Sequence, residues 1–94
     1  MNNLSGTVQI HKERQHQIEA LGFTRQKDMA YRHGELAEAA QAYLMADGSP
    51  DAACPDIWPW SEKMWNPQSR INNLVRAGAL IAAEIDRLQS ETGN

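Results

Sequence analysis

The chain is 94 residues long, 41% apolar, with a formal net charge of −3 and an isoelectric point near 5.5. Its length suits a single domain, 1–94, that buries roughly 60% of its extended-chain surface and leaves no room for a second. The acidic balance argues against a protein that coats duplex nucleic acid. The lone Cys54 excludes an intrachain disulfide or a multi-cysteine zinc site, and the absence of an apolar leader or long apolar run predicts a cytoplasmic protein without a signal peptide or membrane span.

Helix formers are plentiful, and no stretch alternates with period two, so the expected fold class is all-α: three helices and a long Trp/Pro-rich loop, assembling into a helical oligomer. The first helix is predicted over about 7–21, with Gly22 in the position of a left-handed C′ residue. On it, His11, Arg14 and Gln15 share the arc of Val8, Ile18 and Leu21. Polar groups on a packing face need partners, because burying them unpaired costs roughly 1–3 kcal/mol each. That conflict points to a ligand or a neighbouring subunit, against the simpler reading of a short stripe with a solvated middle.

Residues 23–33 set Arg25, Lys27 and Arg32 against Asp28 and form the basic patch of an acidic chain. A second helix is predicted over 34–45 from the stripe Leu36, Ala39, Ala40 and Tyr43, and Asp47-Gly48-Ser49-Pro50 stops it. The arm 47–66 holds Pro50, Pro55 and Pro59 and all three tryptophans, Trp58, Trp60 and Trp65. A segment of that length without regular structure is expected to fold as an Ω-like arm held by tryptophan burial. Asn66-Pro67 reads as N-cap and N1 of a third helix, 67–89. Ile71, Leu74, Val75, Gly78, Ala82 and Ile85 form its main stripe, and a glycine inside it implies close approach of another helix. Leu80 points nearly opposite that stripe, which predicts a second buried face and hence self-association.

Glu35 and Glu38, three apart, suit a hard cation such as Mg²⁺; acidic residues in a first turn also complement the helix dipole without any metal. Arg14, Arg25, Lys27, Arg32 and His33 have the chemistry to converge on a phosphate through charge-assisted hydrogen bonds, and Tyr31 or a tryptophan could stack on a base. The same cations would equally form a solvated connection. Trp58, Trp60 and Trp65 serve either as core or, together with Leu80, as a protein interface. Cys54 has no activating cation nearby in sequence, so no nucleophile is expected.

Glu13-Arg14-Gln15, Gly22-Phe23-Thr24, Gly34-Glu35-Leu36, Trp58-Pro59-Trp60, the run Leu74 to Leu80 and Ala83-Glu84-Ile85 together resemble small proteins of phages and prophages over about 8–88. More distantly, the layout resembles MazG-like all-α nucleoside triphosphate pyrophosphohydrolases, in which an ExxE pair and a later ExxD pair hold Mg²⁺. Glu35 and Glu38 match the first pair. The resemblance sets Asn73 and Arg76 where the second pair belongs, and neither replaces a magnesium-binding carboxylate. Such an arginine would attract phosphate instead and turn a metal-assisted site into a binding site without a cofactor.

Three expectations follow. The leading one is a phage-encoded binding protein that sequesters a nucleotide-like phosphorylated ligand, a signalling nucleotide of host defence. Arg14, Arg25, Lys27, Arg32 and Arg76 would hold phosphates, Tyr31 would stack, and Glu35 and Glu38 would accept from base or ribose, with His11, Gln15 and Asn73 completing the site. The second is a Mg²⁺-dependent pyrophosphohydrolase with Glu35, Glu38 and Glu84 or Asp86 as metal ligands. The third is an inhibitor of a host protein complex that uses the tryptophan arm as its hot spot.

Overall fold

A computed structural model describes residues 4–20, 30–49 and 51–91. Among these residues the chain is all-helical: α1 (Gly6–Glu19), α2 (Glu35–Met45), a single 3-10 turn (Glu62–Met64) and α3 (Arg70–Glu91), with no strand. No helix among them is long and apolar enough to cross a membrane.

Local chemistry sets the helix ends. The Ser5 side chain accepts a hydrogen bond from the Val8 amide at 3.2 Å and so satisfies one of the free donors of the first turn of α1. α2 begins at Gly34, which is left-handed (φ 85°), while Glu35 folds back to accept from the His33 amide at 2.7 Å. Gly48 closes the turn after α2 at φ 100°, where a side chain would be strained and would also meet the Arg70 backbone at 3.1 Å. α3 starts later than the Asn66-Pro67 signal predicts. The Ser69 hydroxyl accepts from the Asn72 amide, and the Asn73 side chain accepts from the Gln68 amide and donates to the Gln68 carbonyl, so the capping interactions lie one turn further along. Leu21, Gly22 and Pro50 lie outside the described residues.

The core forms where α2 meets α3: Leu36, Ala39, Ala40 and Tyr43 against Ala77, Leu80 and Ala83, with Tyr31, Trp58, Trp60 and Trp65 packed around it. Alanines on both helices let the backbones approach closely, and the rings cover the edge of that contact. α1 lies against the other flank of α3, where Ile10 fills the space over Gly78. A Cβ at Gly78 would come within 2.6 Å of Ile10 Cδ1, so the close helix approach read from this glycine is present.

Two faces differ from the sequence reading. α3 is turned so that Asn73, Ala77, Leu80, Ala83 and Arg87 point inward, while Ile71, Leu74 and Ile85 of the expected stripe are exposed. Leu80, expected at a subunit interface, is 2% exposed within its own chain. Two guanidinium groups tie α3 to neighbouring segments in this orientation, and a third closes on its own helix. Arg70 donates to the carbonyl oxygens of Leu44 and Ala46, Arg76 donates to that of Asn66, and Arg87 is clasped by Glu84 and Glu91. On α1, Val8 and Ile18 are exposed, and Ile10, Glu13, Arg14 and Gln17 turn toward the body of the protein.

Candidate functional site

A cavity of about 370 Å³ opens between α1, the arm and α3, within the size range of small-molecule sites. Tyr43 from α2 and Trp58 and Trp60 from the arm supply aromatic walls, and Leu80 from α3 adds an apolar surface. Trp58 stands edge-on to Tyr43 (centroids 5.5 Å apart, 88°) and to Trp60 (5.3 Å, 88°), and Tyr31 backs Trp60 at 5.2 Å. Trp65 stacks on Tyr43 at 4.9 Å. The arm holds these rings through indole donors: Trp58 Nε1 to the Ser61 carbonyl (3.0 Å) and Trp65 Nε1 to that of Ala52 (2.9 Å).

The polar part of the lining comes from Glu13, His16 and Gln17 of α1, Asn66 of the arm and Arg76 of α3. Gln17 is 3% exposed. Its Nε2 donates to Glu13 Oε2 at 3.3 Å, while Oε1 is buried without a hydrogen-bond partner. The neighbouring carboxylate, which can only accept, fixes this orientation of the amide, since turning it over would set two oxygens against each other. Arg76 donates to the Asn66 carbonyl at 2.7 Å, makes a long 3.4 Å contact with the Tyr43 hydroxyl and lies 5.6 Å from the Tyr43 ring centroid. One cation, one buried acceptor and several π-faces thus line a single hollow.

Of the residues singled out from sequence, Arg76, Trp58, Trp60 and Leu80 line this cavity, and Tyr31 supports one wall. Arg14 is 12% exposed but reaches toward Asp86, 3.8 Å away. His11, Gln15 and Arg32 are exposed. Asn73 is fully buried in the cap of α3, with its amide occupied by Gln68. Glu35 serves the turn at His33, and Glu38 is half-buried on α2. Arg25 and Lys27 lie outside the described residues. Sequence reasoning passed over Gln17 and Glu13. They share a face with Ile10 at spacings of three and seven, but with one apolar residue among three, that face carries too little hydrophobicity to stand out.

For a metal, no three His, Cys, Asp or Glu side chains gather among the described residues. Glu84 is bound to Arg87, and Asp86 faces Arg14. Burial pushes the half-buried Cys54 thiol above its ordinary range, and Glu62 and Asp56 push it further the same way. A protonated thiol is a poor nucleophile at neutral pH. Comparison of the chain with family models, with curated proteins and with solved structures gave no match.

Proposed function

We propose that this protein binds a nucleotide-like, phosphorylated small molecule in the aromatic cavity, without turning it over. The observation that carries this reading is Gln17 Oε1, a buried acceptor with no partner in the cavity lining. Leaving such a group unpaired costs about 1–3 kcal/mol, which a donor on the ligand would recover. A nucleobase supplies amino or imino N–H donors and a flat ring. Stacking on aromatic side chains contributes about 1–3 kcal/mol per base, and the half-buried Trp58 and Trp60 provide the faces. Arg76, already oriented by the Asn66 carbonyl, has further guanidinium donors for a phosphate oxygen. The resemblance to phage and prophage proteins supports a signalling nucleotide of the host as the ligand and sequestration as the role. The exposed apolar residues of α3 support a self-associated form of the protein.

Isothermal calorimetry and thermal shift with nucleoside monophosphates, nucleoside triphosphates and cyclic dinucleotides test the reading. At least one class should give saturable heat, and a ligand at about 100 times its Kd should stabilise the fold by roughly 2.7 kcal/mol. The Gln17→Leu chain should lose that response. A panel with no response, or a response undiminished in Gln17→Leu, overturns the proposal.

A further inference from the structure

α3 presents a surface that the cavity does not use. Ile71, Leu74, Gly78, Ile81, Ile85 and Leu88 follow one another at spacings of 3, 4, 3, 4 and 3, the core spacing of a two-helix seam. All five large side chains in this set are between 40 and 63% exposed. Ile10 fills the place over Gly78, so the stripe continues past the glycine. A helix of 22 residues is about 33 Å long, and this row of aliphatic side chains runs nearly its whole length. Exposed rows of this kind mark contact surfaces.

We propose that α3 pairs with α3 of a second copy of this chain in antiparallel orientation, Ile71 lying against the partner's Leu88 and Leu74 against the partner's Ile85, with Ile81 meeting the partner's Ile10 that covers the partner's Gly78. The inference rests on the self-associated form proposed above and names its seam and direction. Charge selects the antiparallel arrangement.

The flank of the seam carries Arg70 near one end and Glu84 and Glu91 toward the other, all three in the same heptad position. Arg70 is bonded to two carbonyl oxygens, which orient its charge without neutralising it. Glu84 and Glu91 share the single guanidinium of Arg87, so that end keeps net negative charge. A two-fold antiparallel pair sets each Arg70 opposite the acidic end of the other copy and opposes the helix dipoles; a parallel pair would set like against like.

Sedimentation velocity and cysteine cross-linking test this on the full chain. The protein should sediment as a dimer at micromolar concentration. The double variant Ile81→Lys/Ile85→Lys should sediment at single-chain mass with unchanged helical circular dichroism, since both side chains are exposed. Should that variant lose helicity, Leu74→Lys supplies the same test. For orientation, a Cys54→Ser background carries Ile71→Cys in one preparation and Leu88→Cys in another. The mixture should oxidise to a mixed disulfide dimer, and each preparation alone should remain largely reduced. A dimer that persists in the folded lysine variants, or cross-links between like positions, overturns the seam while leaving self-association standing. A chain that is monomeric throughout overturns both. None of these results depends on ligand binding in the cavity.

Discussion

Arg87 is 4% exposed, yet it sits inside a protein whose core is mostly alanine. Its guanidinium donates to both oxygens of Glu84 and to Glu91, and the hydrogen bonding to Glu84 is the main reason its pKa lies above the ordinary arginine value, against the opposing effect of burial. A base whose pKa is raised on folding adds stability that is complete below the unfolded value and is lost only as pH climbs through the folded one. This contribution is therefore flat from about pH 6 to 9. Breaking a buried pair by removing one partner costs about 3–5 kcal/mol, and the lower end applies because Glu91 is more than a third exposed. Arg87→Met should therefore lower stability by about 3 kcal/mol in urea unfolding, equally at pH 6 and 9. Glu84→Leu in the same chain should restore most of it; no recovery would mean that Arg87 matters for its packed stem rather than its charge. Gln17 has the opposite sign. Its Oε1 is buried with nothing donating to it, so Gln17→Leu should raise the midpoint of the ligand-free chain, by up to the roughly 1–3 kcal/mol that an unpaired polar group costs. A fall of that size would show that the amide is satisfied in the free protein.

Among the helices, the contact of α1 with α3 turns on Gly78. Adding a methyl group there sets two effects against each other: alanine favours the helix by about 1 kcal/mol, while overpacking costs typically 1–3 kcal/mol. Ile10 Cδ1 and Cγ1 stand 2.6 and 2.9 Å from the new Cβ, too close for a small rotation to absorb. Gly78→Ala should destabilise the wild-type chain by about 1 kcal/mol and stabilise an Ile10→Ala chain by a similar amount, a sign reversal readable in a double-mutant cycle. Equal effects in both backgrounds would dissociate the two residues. The glycine's meaning was legible in sequence because only close packing justifies it within a long helix. Helix positions were legible to within a few residues as well, since the stripe Leu36, Ala39, Ala40 and Tyr43 and the turn at Asp47 carry strong local signals. The rotation of α3 was not. Its most hydrophobic stripe competes with an alanine and leucine face that fits α2 more closely, and the choice between them rests on arginine contacts from Arg70 to Leu44 and Ala46 that join residues more than twenty apart.

At the scale of the whole molecule, residues 51–69 contain one 3-10 turn and otherwise no helix, so backbone hydrogen bonding alone does not hold them in place. The rings do. Tyr43, Trp58, Trp60 and Trp65 form a continuous cluster with centroids 4.9 to 5.5 Å apart, seated on the α2 and α3 core. The same cluster supplies the cavity walls. That explains why the site was only partly legible in sequence: tryptophan composition and Arg76 announced an unusual surface, whereas Gln17, Tyr43, Trp58 and Arg76 come together only once four distant segments have packed. A site built by packing also makes the arm and the helices one cooperative unit. The near-ultraviolet circular dichroism of the coupled rings and the far-ultraviolet signal of the helices should therefore lose amplitude in one coincident urea transition. Trp65 stacks on Tyr43 and ties its indole to Ala52, thirteen residues away, so Trp65→Ala removes both the stack and the tie. Being half-buried, it should cost about 2 kcal/mol, less than the roughly 3–5 kcal/mol typical of a fully buried ring. The near-ultraviolet transition should then precede the far-ultraviolet one, because the remaining tryptophans loosen before the helices separate. Two separate transitions in the unmodified chain would instead show that the arm folds apart from the helices, and the cavity would then not be a feature of the folded core.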